Sequence, residues 1–487
     1  IGAALAALPD PGGRRLPAIA GHFAAAARPG HIARAGEYAL LAARQALTQL
    51  AFEQAATLAE RGLRCLAIDG GDASALRCDL WMLLAQGRLL AREIEGCKQA
   101  AIAAGEDARA LGDGEALARA AVIGSHLNTF GQPSADLRLL LADALAVRGE
   151  LDPAAAAQIL AGQADYLAAS EGDAPGAEPL SCRALELARA CGDPRAHARA
   201  LFVHAEVLEW SPRTRERLAL ADELEQLARE HGDLQVRANA HHVRALALLA
   251  NGRLAAFDRE LEQVDRLRPR LAYWYTDVYV LLWRGMRALL DGRFEEVTGY
   301  LDRLLAYAQH EPNVVNLYTG QLFCLYREQR RLAELVPAIE LAVTQNPNLP
   351  VFRCALALAH AESGQLPQAA EQLRQIEIEG LAAIPRDSTW TTSLVALSDT
   401  VATLADATWA RALLPLVQPY SGALLAATKG MACLGAADRL LGRLHLVLGE
   451  PEQADRHFEA ALALERETGS ELLLARTERD QRRRALA

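Results

Sequence analysis

The sequence predicts an all-α chain, a solenoid of about eleven helical hairpins with a period of about 40 residues. Three observations carry that prediction. Alanine and leucine dominate, while aromatic residues make up only 5% of the 487 positions, a usage that favours helix and leaves no β-domain to expect. Turn residues recur in two ladders: Asp72, Asp113, Asp152, Asp193 and Asp233 stand about 40 residues apart, and Gly131, Gly172, Pro212, Gly252 and Gly292 fall between them. Each interval of about 20 residues then repeats apolar positions at i, i+3, i+4 and i+7, as in "ALFVHAEVLEW" (200–210) and "LLLADALAV" (139–147).

Length alone would suggest roughly three globular domains, but the ladders replace that count with one array. Residues 1–30 read as a linker and helix following an upstream domain, because "LPDPGGRRLP" interrupts the apolar pattern and the chain opens on Ile1 rather than Met. Residues 31–469 form the repeat array, with inner turns near 50, 90, 131, 172, 212, 252, 292, 330, 364, 406 and 449. Glycine suits the left-handed position that ends a helix and aspartate the N-cap of the next, so the recurrent Gly-Asp pairs are its punctuation. A single hairpin cannot bury its apolar face; stacking on its neighbours does so. "ATLADATWARALL" (402–414) has no turn glycine, and the register is least defined between about 310 and 430. Residues 470–487 form a capping helix, whose arginines complement its dipole and solubilise the end of the stack.

The last hairpin is the most specific. Leu441-Gly442 followed by Ala454, Phe458 and Ala461 resembles the tetratricopeptide pattern, in which a Leu-Gly pair precedes a small, a large and a small residue. Gly442 and Ala454 would let two backbones approach while Phe458 fills the gap to the next unit. Asp438 and His445 stand where that pattern has aromatics, and no proline ends the unit. "DGRFEEV" (291–297) and "SGQLPQAA" (363–370) repeat the turn and helix start. The resemblance implies a right-handed superhelix of tetratricopeptide-like hairpins, although the unit exceeds that family's usual length of about 34.

The longer unit, with the stretches 16–63 and 442–480, is similar to the C-terminal arrays of bacterial signal-transduction ATPases, the STAND class. That class includes large ATP-binding LuxR-type transcription regulators and ATPase-linked nucleotide cyclases. The resemblance implies a cytoplasmic ligand-sensing and protein-interaction array that controls an ATPase domain upstream in the same polypeptide. The alternative is a free-standing tetratricopeptide scaffold that binds peptide tails of partner proteins.

Catalytic signals are missing. The two lysines, Lys98 and Lys429, lack the glycine spacing of a P-loop, and there is neither an HExxH nor a GxSxG motif. His241 and His242 point about 100° apart on a helix, which suits one packed and one solvated ring better than a shared metal. Glu206 and Glu209 share a helix face and read as solvated or salt-bridged. Eight cysteines without a CxxC pair read as small buried side chains of a reducing compartment. A net charge of -10 argues against direct nucleic-acid binding, and "LAYWYTDVYVLLWRGMRALL" carries too much charge to span a membrane. The expectation is a non-enzymatic chain with no cofactor, no metal and no membrane segment.

One region stands out. Residues 271–330 hold 11 of the 25 aromatic residues, among them Tyr273, Trp274, Tyr275 and Tyr279. By the tetratricopeptide resemblance the first helix of each hairpin lines the concave face. Its inward positions are then Arg199, Phe202 and Glu206, next Asn239 and His242, next Tyr275, Tyr279 and Met286. These residues make a candidate groove for a peptide, protein or small-molecule effector, with an aromatic floor, a cation, an anion and amides.

Overall fold

The computed structural model describes residues 1–8, 15–26, 31–69, 73–91, 93–147, 151–271, 275–309, 311–381 and 384–483. Asp72, Tyr273, Trp274 and Arg484 lie outside them. The described chain is all-α apart from one two-stranded ribbon. Eleven successive helical hairpins run from His31–Thr48 with Phe52–Asp69 to Ala437–Val447 with Pro451–Thr468, and the helix Glu471–Arg483 follows them.

The turn chemistry explains the spacing. Asp113, Asp152, Asp193 and Asp233 each accept a hydrogen bond from a backbone N–H two or three residues on, at 2.7–3.0 Å, and so cap the helices they precede. The inner turns bend through left-handed residues: Gly131, Gly172, Gly252, Gly292, Gly364 and Gly449 all have φ between 65° and 77°. Leu50, Arg330 and Ala405 adopt the same conformation without being glycine. Ala405, with φ 55° and ψ 38°, thus closes the turn that lacks its glycine, and Asp406 caps the next helix.

The chain divides into two compact units. The first comprises residues 1–128, 133–166 and 180–200. Alanines carry its core: Ala43, Ala55, Ala59, Ala85, Ala100 and Ala104 are fully buried. Small side chains at these positions bring helix axes close together. The second unit comprises residues 129–132, 167–179 and 201–487. Its core uses larger groups, including Phe257, Trp283, Met286, Trp390, Trp409 and Phe458. In its last hairpin a Cβ on Gly442 would sit 2.8 Å from the Phe458 ring, so the Leu-Gly step is where two helices touch.

Strands interrupt the repeat pattern of the described residues after the helix Ala407–Val417. "SGALLAATKGMACLGA" (421–436) places glycines at 422, 430 and 435, all with positive φ, in a run of small residues that cannot hold a helix. It folds instead into strands Leu424–Ala426 and Cys433–Ala436, paired antiparallel with Leu425 opposite Gly435. The turn between them, Ala427–Ala432, is closed by hydrogen bonds from Ala427 N to Ala432 O and from Gly430 N to Ala427 O, both 2.8 Å. We call this turn the finger. Asp438, at a position where tetratricopeptides carry an aromatic, is buried and anchors the ribbon: its carboxylate accepts from Ser421 Oγ at 2.9 Å and Gly422 N at 2.6 Å.

Candidate functional site

Three consecutive first helices of the second unit build the site: the C-terminal part of Pro194–Val207 with its extension to Trp210, then Leu234–Ala250, then Tyr275–Leu290. Helical spacing puts Phe202, Glu206 and Glu209 on one stripe, His242 on the next, and Tyr275, Tyr279 and Trp283 on the third. The rings meet. His242 lies 4.3 Å from Tyr279, 5.3 Å from Trp283 and 5.9 Å from Phe202, centroid to centroid, and Tyr275 lies 5.8 Å from Tyr279.

The stripe is not open. The finger inserts Lys429 between the carboxylates, where its ammonium pairs with Glu206 and lies 2.5 Å from Glu209 Oε2. The backbone of Lys429 is held as firmly as its side chain. Its N–H donates to Glu209 Oε1 at 2.9 Å, and its carbonyl accepts from Trp283 Nε1 at 2.9 Å. Lys429 itself has φ 54°, a left-handed conformation that turns both backbone groups toward the repeat helices. Gly430 follows with φ 70°, and a Cβ there would stand 2.8 Å from Leu246. Beside it Gln321 Nε2 donates to Met431 O and Leu282 O, both at 2.8 Å. Gly320 leaves room for the Met431 thioether, which a Cβ there would meet at 2.4 Å.

The electrostatics follow from this burial. Loss of water opposes ionisation of Glu206, but the Lys429 ammonium and His242 outweigh it and hold its carboxyl well below the usual range. Burial likewise opposes the Lys429 charge, and the two glutamates outweigh it, pushing its pKa up. Arg217, 3% exposed, lies in the field of Glu209 and Glu206 while burial pulls its pKa down. Asp387, next to Ser388, whose carbonyl accepts from Thr428 Oγ1 of the finger at 3.0 Å, is pushed up to about 6 by burial, against the two hydrogen bonds it accepts from Thr389.

The residues expected in the groove are distributed as follows. Phe202, Glu206, His242, Tyr275 and Tyr279 form one run of contacts, of which Glu206 pairs with the finger's Lys429. His242 is 3% exposed and Met286 fully buried, so neither presents a free surface. Asn239 is half-buried and its amide oxygen accepts from Gln235 Nε2 at 3.1 Å. Arg199 belongs to the first unit, where it donates to Ser125 O at 2.6 Å and lies 3.4 Å from Asp165. The expectation of one packed and one solvated histidine is corrected: His241 is also buried, with Nδ1 2.6 Å from Glu260 Oε2. Sequence reasoning read Glu209 as solvated or salt-bridged without placing it in the site, and it missed Trp283, Gln321 and Lys429 there. The one signal for Lys429 was its rarity, two lysines among 51 basic residues.

No family model and no curated protein matches the sequence. Among solved structures, the chain is similar to the crystal structure of the APC/C hetero-tetramer Cut9-Hcn1, with 11% identity, 93% of this chain and 84% of that one covered, and a TM-score of 0.47. It is also similar to yeast Tom70, with 13% identity, 92% and 96% coverage and a TM-score of 0.36. Among the described residues no cluster of three or more His, Cys, Asp and Glu could hold a metal ion, and no helix is long and apolar enough to cross a membrane.

Proposed function

We propose that this chain is a helical-repeat binding module that recognises a lysine-bearing segment of a partner protein in the groove Lys429 now fills. The observation that carries this reading is the mode in which Lys429 is held. Two carboxylates take its ammonium, while a glutamate and an indole take its backbone N–H and carbonyl. Such a site reads both the backbone and the charge of an inserted residue. A partner segment must therefore compete with the finger, and its apparent affinity falls in proportion to the fraction of molecules in which the finger is seated. The likeness of residues 16–63 and 442–480 to arrays of signal-transduction ATPases supports placing the module in a regulator of that class, controlling a nucleotide-binding domain of the same polypeptide. Displacement of the finger would then be the event that such a domain senses.

The test uses a labelled peptide with the finger's own sequence, AATKGMA (426–432), and a variant, Lys429→Glu, whose finger is repelled by Glu206 and Glu209. Circular dichroism establishes that the variant keeps its helices. The peptide is expected to bind the variant saturably and the unaltered chain at least ~10-fold more weakly, with binding lost when its lysine is replaced by glutamine. Equal binding to both proteins, or none to a folded variant, would overturn the reading. The regulator class has its own test: a P-loop ATPase encoded upstream of Ile1 supports it, and a start codon immediately before Ile1 favours the free-standing scaffold.

A further inference from the structure

A second concavity, of about 430 Å³, lies within the second unit. It is lined by Trp210, Pro212, Arg213, Arg386, Leu416 and Tyr420, with a glutamate and two further prolines. Its volume is that of a small-molecule site, and its walls are aromatic rings, prolines and a leucine. The charged groups do not balance. Arg213 is neutralised by Glu178, whose two oxygens accept from it at 2.9 and 2.6 Å, with Glu216 a further 3.6 Å contact behind it. Arg386 has no carboxylate partner among the described residues. Its guanidinium carbon lies over the Trp390 ring, 3.7 Å from the centroid, and that cation–π contact holds its position. Partial burial pulls its pKa down, against the neighbouring Tyr420, and an anion beside it would favour the charge. Trp210, another wall residue, has an indole N–H with no acceptor among the described residues.

We infer that this cleft is a binding site for a small amphipathic monocarboxylate, an acid whose apolar body lies against Trp210, Pro212, Leu416 and Tyr420 while its carboxylate pairs with Arg386. One unpaired cation calls for one negative charge. The three wall prolines offer no N–H groups, which disfavours a phosphate, whose oxygens need many donors. The cleft adjoins the Lys429 site at Trp210, next to Glu209, but none of its lining residues is a partner of Lys429, and its reading does not rest on the function proposed there.

The test is calorimetric titration of the full chain with 4-phenylbutyrate and with its neutral amide, 4-phenylbutyramide. The acid is expected to bind saturably at one site per chain and at least ~10-fold more tightly than the amide. Arg386→Gln should weaken the acid to the level of the amide while leaving the amide unaffected, and Leu416→Trp, which fills the cleft, should abolish both. Absence of saturable binding by the acid, equal affinity for acid and amide, or unchanged affinity in Arg386→Gln would overturn the inference. The contrast between acid and amide in the unaltered protein decides the matter even if a variant fails to fold.

Discussion

Lys429 Nζ lies 2.5 Å from Glu209 Oε2, a contact made across 220 residues of chain. The same ammonium pairs with Glu206, one turn earlier on the repeat. Groups this far apart in sequence meet only because the ribbon 424–436 folds back onto the repeat stack. Each partner alone would be a costly buried charge.

That mutual dependence sets a pH signature. Glu206 is held below its ordinary value of 4.5, so its contribution to stability is fully present above that pH and is lost as pH falls through the folded-state value. Lys429→Met removes the main group that lowers it and leaves burial, which raises it and is the largest influence, opposed by His242 alone of the groups named above. The sign then inverts: the variant's folded state binds protons more readily than its unfolded state, and stability rises on acidification. Thermal melts at pH 7.5, 6 and 5 should show the variant gaining on the unaltered chain as pH falls. A constant difference between the two would mean that Glu206 does not depend on Lys429.

A second buried pairing joins the last repeats. Asp399, 1% exposed, accepts from Arg439 at 2.9 Å and from Arg327 and Arg443 at 2.5 Å, and Arg439 also reaches Asp480 at 2.7 Å. Burial opposes its charge, and the three arginines outweigh it, holding its pKa well below the ordinary range. Asp399→Asn leaves three guanidinium groups around a neutral amide and should cost about 3–5 kcal/mol in urea unfolding. A loss under about 1 kcal/mol would show that Glu362 and Asp480, which also pair with these arginines, compensate for Asp399.

Ala405 carries strain that a single change should relieve. Its φ of 55° is one that side chains with a Cβ avoid. Ala405→Gly is expected to raise stability by roughly 0.5–1 kcal/mol, less the extra entropy glycine brings to the unfolded chain. Urea midpoints measure it. A decrease of similar size would mean that the unfolded-state term dominates at this turn.

These cases show what was legible in the sequence. A turn that needs a left-handed residue usually writes glycine, which is why Gly131, Gly172, Gly252, Gly292, Gly364 and Gly449 could be read as turns, and the spacing located Leu50, Arg330 and Ala405 by interpolation. The tetratricopeptide resemblance, applied to the first helix of each hairpin, grouped Phe202, Glu206, His242 and Tyr279. Periodicity is a local signal and carries nothing about what covers a stripe. The finger lies in a segment of small residues with neither helical nor strand pattern, so its fold is decided by the partners it reaches: Glu206, Glu209, Trp283 and Gln321. Trp283, one turn beyond Tyr279, extends the aromatic stripe, but only its bond to the Lys429 carbonyl distinguishes it from a core residue.

The most direct test of a groove closed by its own lysine is a double-mutant cycle between Lys429→Met and Glu209→Gln, measured by urea unfolding at pH 7.5. The buried pair predicts a coupling of about 2 kcal/mol or more, with the double variant more stable than the sum of the single losses implies. A coupling within about 0.5 kcal/mol of zero would contradict the contact and with it the closed groove.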